Sequence, residues 1–162
     1  MARQGVTNPP PPGLRSMRRT LLGIAVIALA LLALAPAAMS RESAAPTLTA
    51  KSSSYGRVLF DGRGYVLYAF TRDTKARSVC YGACARAWPV YVAKSGLKAG
   101  NGVNRSLLGT TKRRDGRRQV TYAGRPLYYY VKDRKPGQIL CQNVAEFGGT
   151  WLVVRPTGKL LR

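Results

Sequence analysis

A chain of 162 residues that carries 27 Lys and Arg, 6 Asp and Glu and no His has a formal net charge of +21. Without His it cannot build His-ligated haem, mixed Cys/His zinc, or the Ser-His-Asp and Cys-His nucleophile systems, and with Met confined to Met1, Met17 and Met39 cupredoxin copper is excluded too. Its size and three cysteines, Cys80, Cys84 and Cys141, describe one small domain behind an export signal, with no room for a second domain.

In chain order, residues 1–16 contain Pro9 to Pro12 in succession and little to bury, so they are expected to be disordered. Met17 is a second candidate start, and a signal beginning there has conventional length. Residues 17–39 read as that signal: Arg18 and Arg19, an apolar run over 21–38 broken only by Pro36, and small residues at Ala35-Pro36-Ala37. The run reaches about 27 Å as a helix, so retention as an N-terminal hydrophobic membrane anchor stands beside cleavage as an outcome. Both outcomes place the C-terminal domain outside the cytoplasm, secreted or tethered by residues 21–38. The pair Arg18-Arg19 fits a twin-arginine signal, but the apolar run favours general secretion.

Residues 40–54 are small and polar without periodicity and read as a linker, and residues 55–162 form the domain. Val58-Leu59-Phe60 followed by Asp61-Gly62-Arg63-Gly64 and Tyr65 to Phe70 predicts strand, turn, strand. Val79 to Trp88 predicts a short helix ended by Pro89, and Lys94 to Arg105, with three glycines, predicts a loop. Gln119 to Tyr122, the turn Ala123 to Pro126, and Leu127 to Val131 repeat the first hairpin. Gly148 to Val154 predicts a further strand, with Leu160-Leu161 as a short edge.

A ten-residue pattern occurs twice, sixty positions apart: Gly64, Leu67, Tyr68, Phe70 and Asp73 in the first copy; Gly124, Leu127, Tyr128, Tyr130 and Asp133 in the second. Each copy is followed at similar distance by a Trp, Trp88 and Trp151. The expected fold is mainly β: two pseudo-symmetric repeats of about sixty residues, near 55–93 and 115–156, with one or two short helical turns, because neither half can bury a sufficient core alone. Tyr68 and Phe70 share one strand face, and Tyr128 and Tyr130 the matching one.

Tyr68-Ala69-Phe70-Thr71-Arg72-Asp73 and Tyr128-Tyr129-Tyr130-Val131-Lys132-Asp133 fit the motif Yx(FWY)xxD, and Cys80-Tyr81-Gly82-Ala83-Cys84, Trp88-Pro89, Pro136-Gly137-Gln138 and Phe147-Gly148-Gly149-Thr150-Trp151 accompany it. In these features the chain resembles the bacterial "secreted repeat of unknown function" family, often described as predicted lipoproteins. The resemblance implies an exported, wall- or membrane-associated protein without an assigned activity. Residues 35–45 hold no Cys, so the lipid attachment of a lipoprotein is unsupported here.

For the cysteines an oxidising compartment makes a disulfide the default: Cys80 with Cys84, or Cys141 with either. A redox-active pair with a resolving thiol and a three-thiolate metal site are the alternatives. Asp73 and Asp133 fit turn-stabilising acids, or a paired-carboxylate hydrolase if they converge. Ser95-Gly96-Leu97-Lys98 matches a Ser-x-x-Lys nucleophile pattern but lies in the Gly-rich loop without the required helix. Trp88, Trp151 and the tyrosines are core residues, or a glycan-stacking surface.

Residues 40–162 carry 23 Lys and Arg against 6 acids, a net of +17. The densest cluster, Lys112, Arg113, Arg114, Arg117 and Arg118, flanks the hairpin-turn signal Asp115-Gly116 and is the candidate anion-binding surface. The expected function is a non-catalytic, basic binding or scaffold protein at the cell envelope, with anionic polymer or lipid headgroups as partner, no cofactor and no metal. Export disfavours nucleic acid. A thiol redox protein and an acid-based hydrolase are the alternatives.

Overall fold

The computed structural model describes residues 47–93 and 96–162, so the expected disordered segment and the hydrophobic helix lie outside the described residues. No helix among the described residues is long and apolar enough to cross a membrane. The fold is mainly β. The described strands form three sheets of three: β2 (Gly56–Asp61), β1 (Thr47–Ser53) and β4 (Lys98–Ala99); β3 (Tyr68–Phe70), β9 (Gly149–Val153) and β8 (Val144–Glu146); β5 (Leu108–Lys112), β6 (Arg118–Tyr122) and β7 (Arg125–Pro126). One helix, α1 (Ala83–Ala87), and a 3-10 turn at Arg105–Leu107 complete them.

Three stretches differ from the sequence expectation. Thr47–Ser53, the second half of the segment read as linker, is β1, antiparallel to β2 from Leu48↔Asp61 to Ser53↔Gly56. It buries Leu48 and Ala50 at alternate positions, a period masked by the Ser, Thr and Lys of its outer face. Inside the expected loop at 94–105, Lys98–Ala99 pairs with β1 in parallel. Leu127 to Val131 does not form a regular strand; it holds its neighbours through single bridges, Tyr128 to Tyr68 and Tyr128 to Val90.

Those bridges carry the symmetry of the molecule. Tyr68 and Tyr128 each donate a backbone N–H to the other's carbonyl at 2.9 Å, which places the pseudo-twofold between them. Outward from that pair the repeats exchange partners. Tyr68, of the first repeat, is in register with Val153 of the second, and Tyr128, of the second, bridges Val90 of the first. Leu59 N–H bonds Val154 O at 2.9 Å, and at the equivalent position Val120 N–H bonds Tyr91 O at 2.8 Å.

The core obeys the same exchange. Trp88 and Trp151 stack at 3.9 Å and 2° across the dyad; Phe70 stacks on Trp151 at 4.2 Å, and Tyr130 lies on Trp88 at 4.7 Å. Tyr68 meets Trp88 edge-on at 5.3 Å, and Tyr128 meets Trp151 edge-on at 5.1 Å. Both tryptophans are fully buried, so these rings are core and not an exposed glycan platform. The repeat glycines Gly64 and Gly124 have φ of 92° and 74°, a left-handed conformation that only Gly adopts without strain. Asp61 binds the first repeat to the second: it accepts Arg63 N–H and Tyr65 N–H on Oδ1, and the Tyr129 hydroxyl on Oδ2 at 3.0 Å.

Candidate functional site

The repeated acids are the first candidates, and each is held by the other repeat. Asp73 Oδ2 accepts the Tyr128 hydroxyl at 2.6 Å and its Oδ1 accepts Val79 N–H at 2.8 Å. Asp133 Oδ2 accepts the Tyr68 hydroxyl at 2.7 Å and its Oδ1 accepts Leu140 N–H at 3.0 Å. Burial raises both carboxyls above the ordinary aspartate value, against the lowering effect of these bonds. The same burial, with the carboxylate beside it, drives the Tyr68 and Tyr128 hydroxyls far above the usual tyrosine value. The two acids serve separate tyrosines and brace separate loops, the geometry of structural turn acids.

The sulfurs divide into two environments. Cys80 and Cys84 form a disulfide with Cα atoms 5.3 Å apart. Helix α1 begins only at Ala83, so Cys80 sits on the loop leading into it and the bond closes that loop onto the helix. Cys141 is free and buried, and burial pushes its thiol above the ordinary value, with the Tyr130 hydroxyl as its polar neighbour. A buried thiol that resists ionisation is the opposite of a redox nucleophile. Among the described residues no group of three or more His, Cys, Asp or Glu could hold a metal ion.

The basic cluster sits on a hairpin. Strands β5 and β6 pair from Leu108↔Tyr122 to Lys112↔Arg118, and the turn at Asp115-Gly116 joins them. Its cations do not all face solvent. Arg113 is 3% exposed. Its Nη1 donates to Ser78 Oγ and, at 2.9 Å, to Gln119 Oε1; its Nη2 donates to Cys80 O at 2.7 Å and its Nε to Asp115 Oδ2 at 3.1 Å. Arg113 is thereby removed from the anion-binding surface expected of the cluster, because its donors are spent inside the protein.

Arg113 also reaches Asp73 through two hydroxyls. Tyr128 spends its single hydroxyl hydrogen on Asp73, so the 2.7 Å contact between Ser78 Oγ and Tyr128 has Ser78 as donor, and Ser78 in turn accepts from Arg113. A buried cation and a half-buried anion are joined by a directional chain of hydrogen bonds, each polarising the next.

Lys112, Arg114, Arg117 and Arg118 are exposed. Arg117 pairs with Asp115 at 2.7 Å and holds that carboxyl far below its usual range; Arg118 donates to Thr110 Oγ1 at 2.9 Å. Tyr81 stands beside the hairpin, with Arg113 4.2 Å and Arg114 4.5 Å from its ring centre, and its hydroxyl accepts Arg114 N–H at 3.2 Å. Between the hairpin and the Ala76–Tyr81 loop lies a cleft of about 210 Å³ bordered by Arg77, Lys112 and Arg114. Sequence reasoning missed Arg77 and Tyr81, which stand more than thirty positions from the cluster and join it only through the fold. A second cleft, about 220 Å³, is lined by Asp73, Lys75 and Arg125.

No curated protein and no solved structure matches the chain. The family described as "Secreted repeat of unknown function" matches it twice, over residues 49–91 and 109–155. Those spans run from β1 past α1 in the first copy and from β5 through β9 in the second, the halves related by the Tyr68–Tyr128 dyad. With both copies matched and paired across one core, the chain belongs to the family of secreted repeats of unknown function.

Proposed function

We propose that this protein works outside the cytoplasm as a non-catalytic binding module whose ligand is an anionic polymer of the cell envelope. One observation carries the reading. Of the 21 described Lys and Arg, 19 are exposed, whereas the exposed acids are Asp115, claimed by Arg117, and Glu146, which accepts Trp88 Nε1–H. A surface this uniformly cationic attracts polyanions by releasing their counterions. The repeated acids and the Cys80–Cys84 disulfide are engaged in holding the fold, which supports a scaffold in place of a catalyst.

The apolar run at 21–38 either is removed or tethers the domain to the membrane, and both bring the basic surface to the envelope. Binding to anionic polymer is the test. The affinity should fall steeply between about 50 and 200 mM salt, the behaviour of several displaced counterions. Affinity independent of salt, or no binding at low salt, refutes the reading.

A further inference from the structure

The cleft between the basic hairpin and the disulfide loop differs from the rest of the cationic surface in being built. Arg77, Lys112 and Arg114 border it, and none of them forms an ion pair among the described residues. The acids near it are already committed, Asp115 to Arg113 and Arg117, and Asp73 to Tyr128 and Val79. Its walls are fixed from behind. Arg113 clamps Ser78 and the Cys80 carbonyl, the disulfide closes the loop that carries Tyr81, and the Tyr81 hydroxyl accepts Arg114 N–H. That hydroxyl keeps its own hydrogen to donate.

We propose that this cleft is a subsite for one phosphoryl group of a phosphate-bearing polymer, a reading that rests on the polyanion function proposed above and names the chemistry it selects. Three cations and a phenolic donor converge on a tetrahedral oxyanion with several acceptor oxygens; a carboxylate has only two oxygens and a single charge to satisfy them. Guanidinium groups from two different elements, the 76–81 loop and the hairpin, meet phosphate oxygens in the forked geometry that Arg supplies. The volume, about 210 Å³, is below the range of sites that enclose a whole small molecule, so it fits a group presented on a chain. A lipid surface is the weaker source, because Val79 is the only exposed large apolar side chain lining the cleft and exposed cations are spread over separate elements, as at Lys51 on β1, Arg118 on β6 and Lys132 in the turn before Asp133.

The experiment measures binding of the full chain to long-chain inorganic polyphosphate and to polyglutamate at equal charge and fixed salt. Wild type should prefer polyphosphate by about tenfold, the equivalent of one good charge-assisted contact. The triple substitution Arg77→Gln, Lys112→Gln, Arg114→Gln should abolish the preference. Arg134→Gln, Lys135→Gln, Arg155→Gln, outside the cleft, should weaken both polymers alike and keep it. Tyr81→Phe, which leaves the ring in place, should reduce the preference severalfold, and covers the case in which the triple variant fails to fold. Equal affinity for the two polymers in wild type, or a preference that survives both cleft variants, overturns the subsite while leaving the polyanion reading standing. Binding of neither polymer overturns both. Binding to phosphatidylglycerol vesicles that exceeds polyphosphate binding and depends on the same residues assigns the cleft to lipid and overturns the polymer.

Discussion

Tyr68 donates its hydroxyl hydrogen to Asp133, 65 residues away in the other repeat, and Tyr128 returns the contact to Asp73 across 55. The motif's tyrosine and acid, five positions apart in each copy, therefore never serve each other. Each copy supplies a donor that only the other can use. Tyr68→Phe should cost about 1–2 kcal/mol, since a buried carboxylate loses a donor, and Asp133→Asn a similar amount. In a double-mutant cycle with urea unfolding, Tyr68 and Asp133 should couple by about 1 kcal/mol, and Tyr68 and Asp73 should not. Coupling of Tyr68 to Asp73 would contradict the exchange.

Alkaline pH should unfold the domain early. Burial and a neighbouring carboxylate raise Tyr68, Tyr128 and Tyr129, and Tyr91 and Tyr130 are pushed up to about 12. A group whose folded pKa exceeds its unfolded value of about 10 contributes stability that is whole below that pH and is lost as pH rises toward the folded value. Melting temperature should therefore drop steeply above about pH 10, and tyrosinate absorbance should appear in step with unfolding. Gradual ionisation of all nine tyrosines in a still-folded protein would count against it.

Adjacent arginines should behave as different residues. Arg113→Gln removes a buried cation that four acceptors depend on, and should destabilise the fold by about 3 kcal/mol. Arg114→Gln should change stability by less than about 0.5 kcal/mol and act on polyanion binding alone. Thermal melts of the two variants decide the matter, and equal melting temperatures would return Arg113 to the surface.

Thiol chemistry should count one cysteine, and only after unfolding. Cys141 is shielded and its thiol raised, so the native protein should not react with a thiol reagent, while denaturant alone should expose a single group and denaturant with reductant all three. Replacing Cys80 and Cys84 by Ser should cost about 2 kcal/mol, small because the closed loop is short. Rapid labelling of native protein would show that Cys141 is accessible.

The parts of this fold that were legible are those set by local chemistry. Gly64 and Gly124 announce left-handed turns, Tyr68 to Phe70 a strand, Pro89 the end of α1, and Asp115-Gly116 a hairpin. What stayed hidden depends on which residues meet. Nothing in Lys112-Arg113-Arg114 distinguishes the buried side chain from its neighbours; the distinction comes from Gln119, which stands where the first repeat has Val58 and gives a polar partner inside the core. Likewise Leu127 to Val131 has strand composition, but its bonds go to Pro89 and Ala87 on one side and to Tyr68 on the other, one residue at a time. The exchange of partners is invisible in a linear pattern, because cis and exchanged pairing leave the same residues at the same spacing.

That exchange has the form of an isologous contact, in which a residue of one copy meets its counterpart's neighbour and the favour is returned. Two separate chains bearing one motif each would hold the same bonds as a homodimer and would come apart on dilution. Here the segment 92–108 ties the copies together, so their association is intramolecular and its strength does not depend on protein concentration. For a member of a secreted family, assembly written into one chain keeps the fold closed at any dilution.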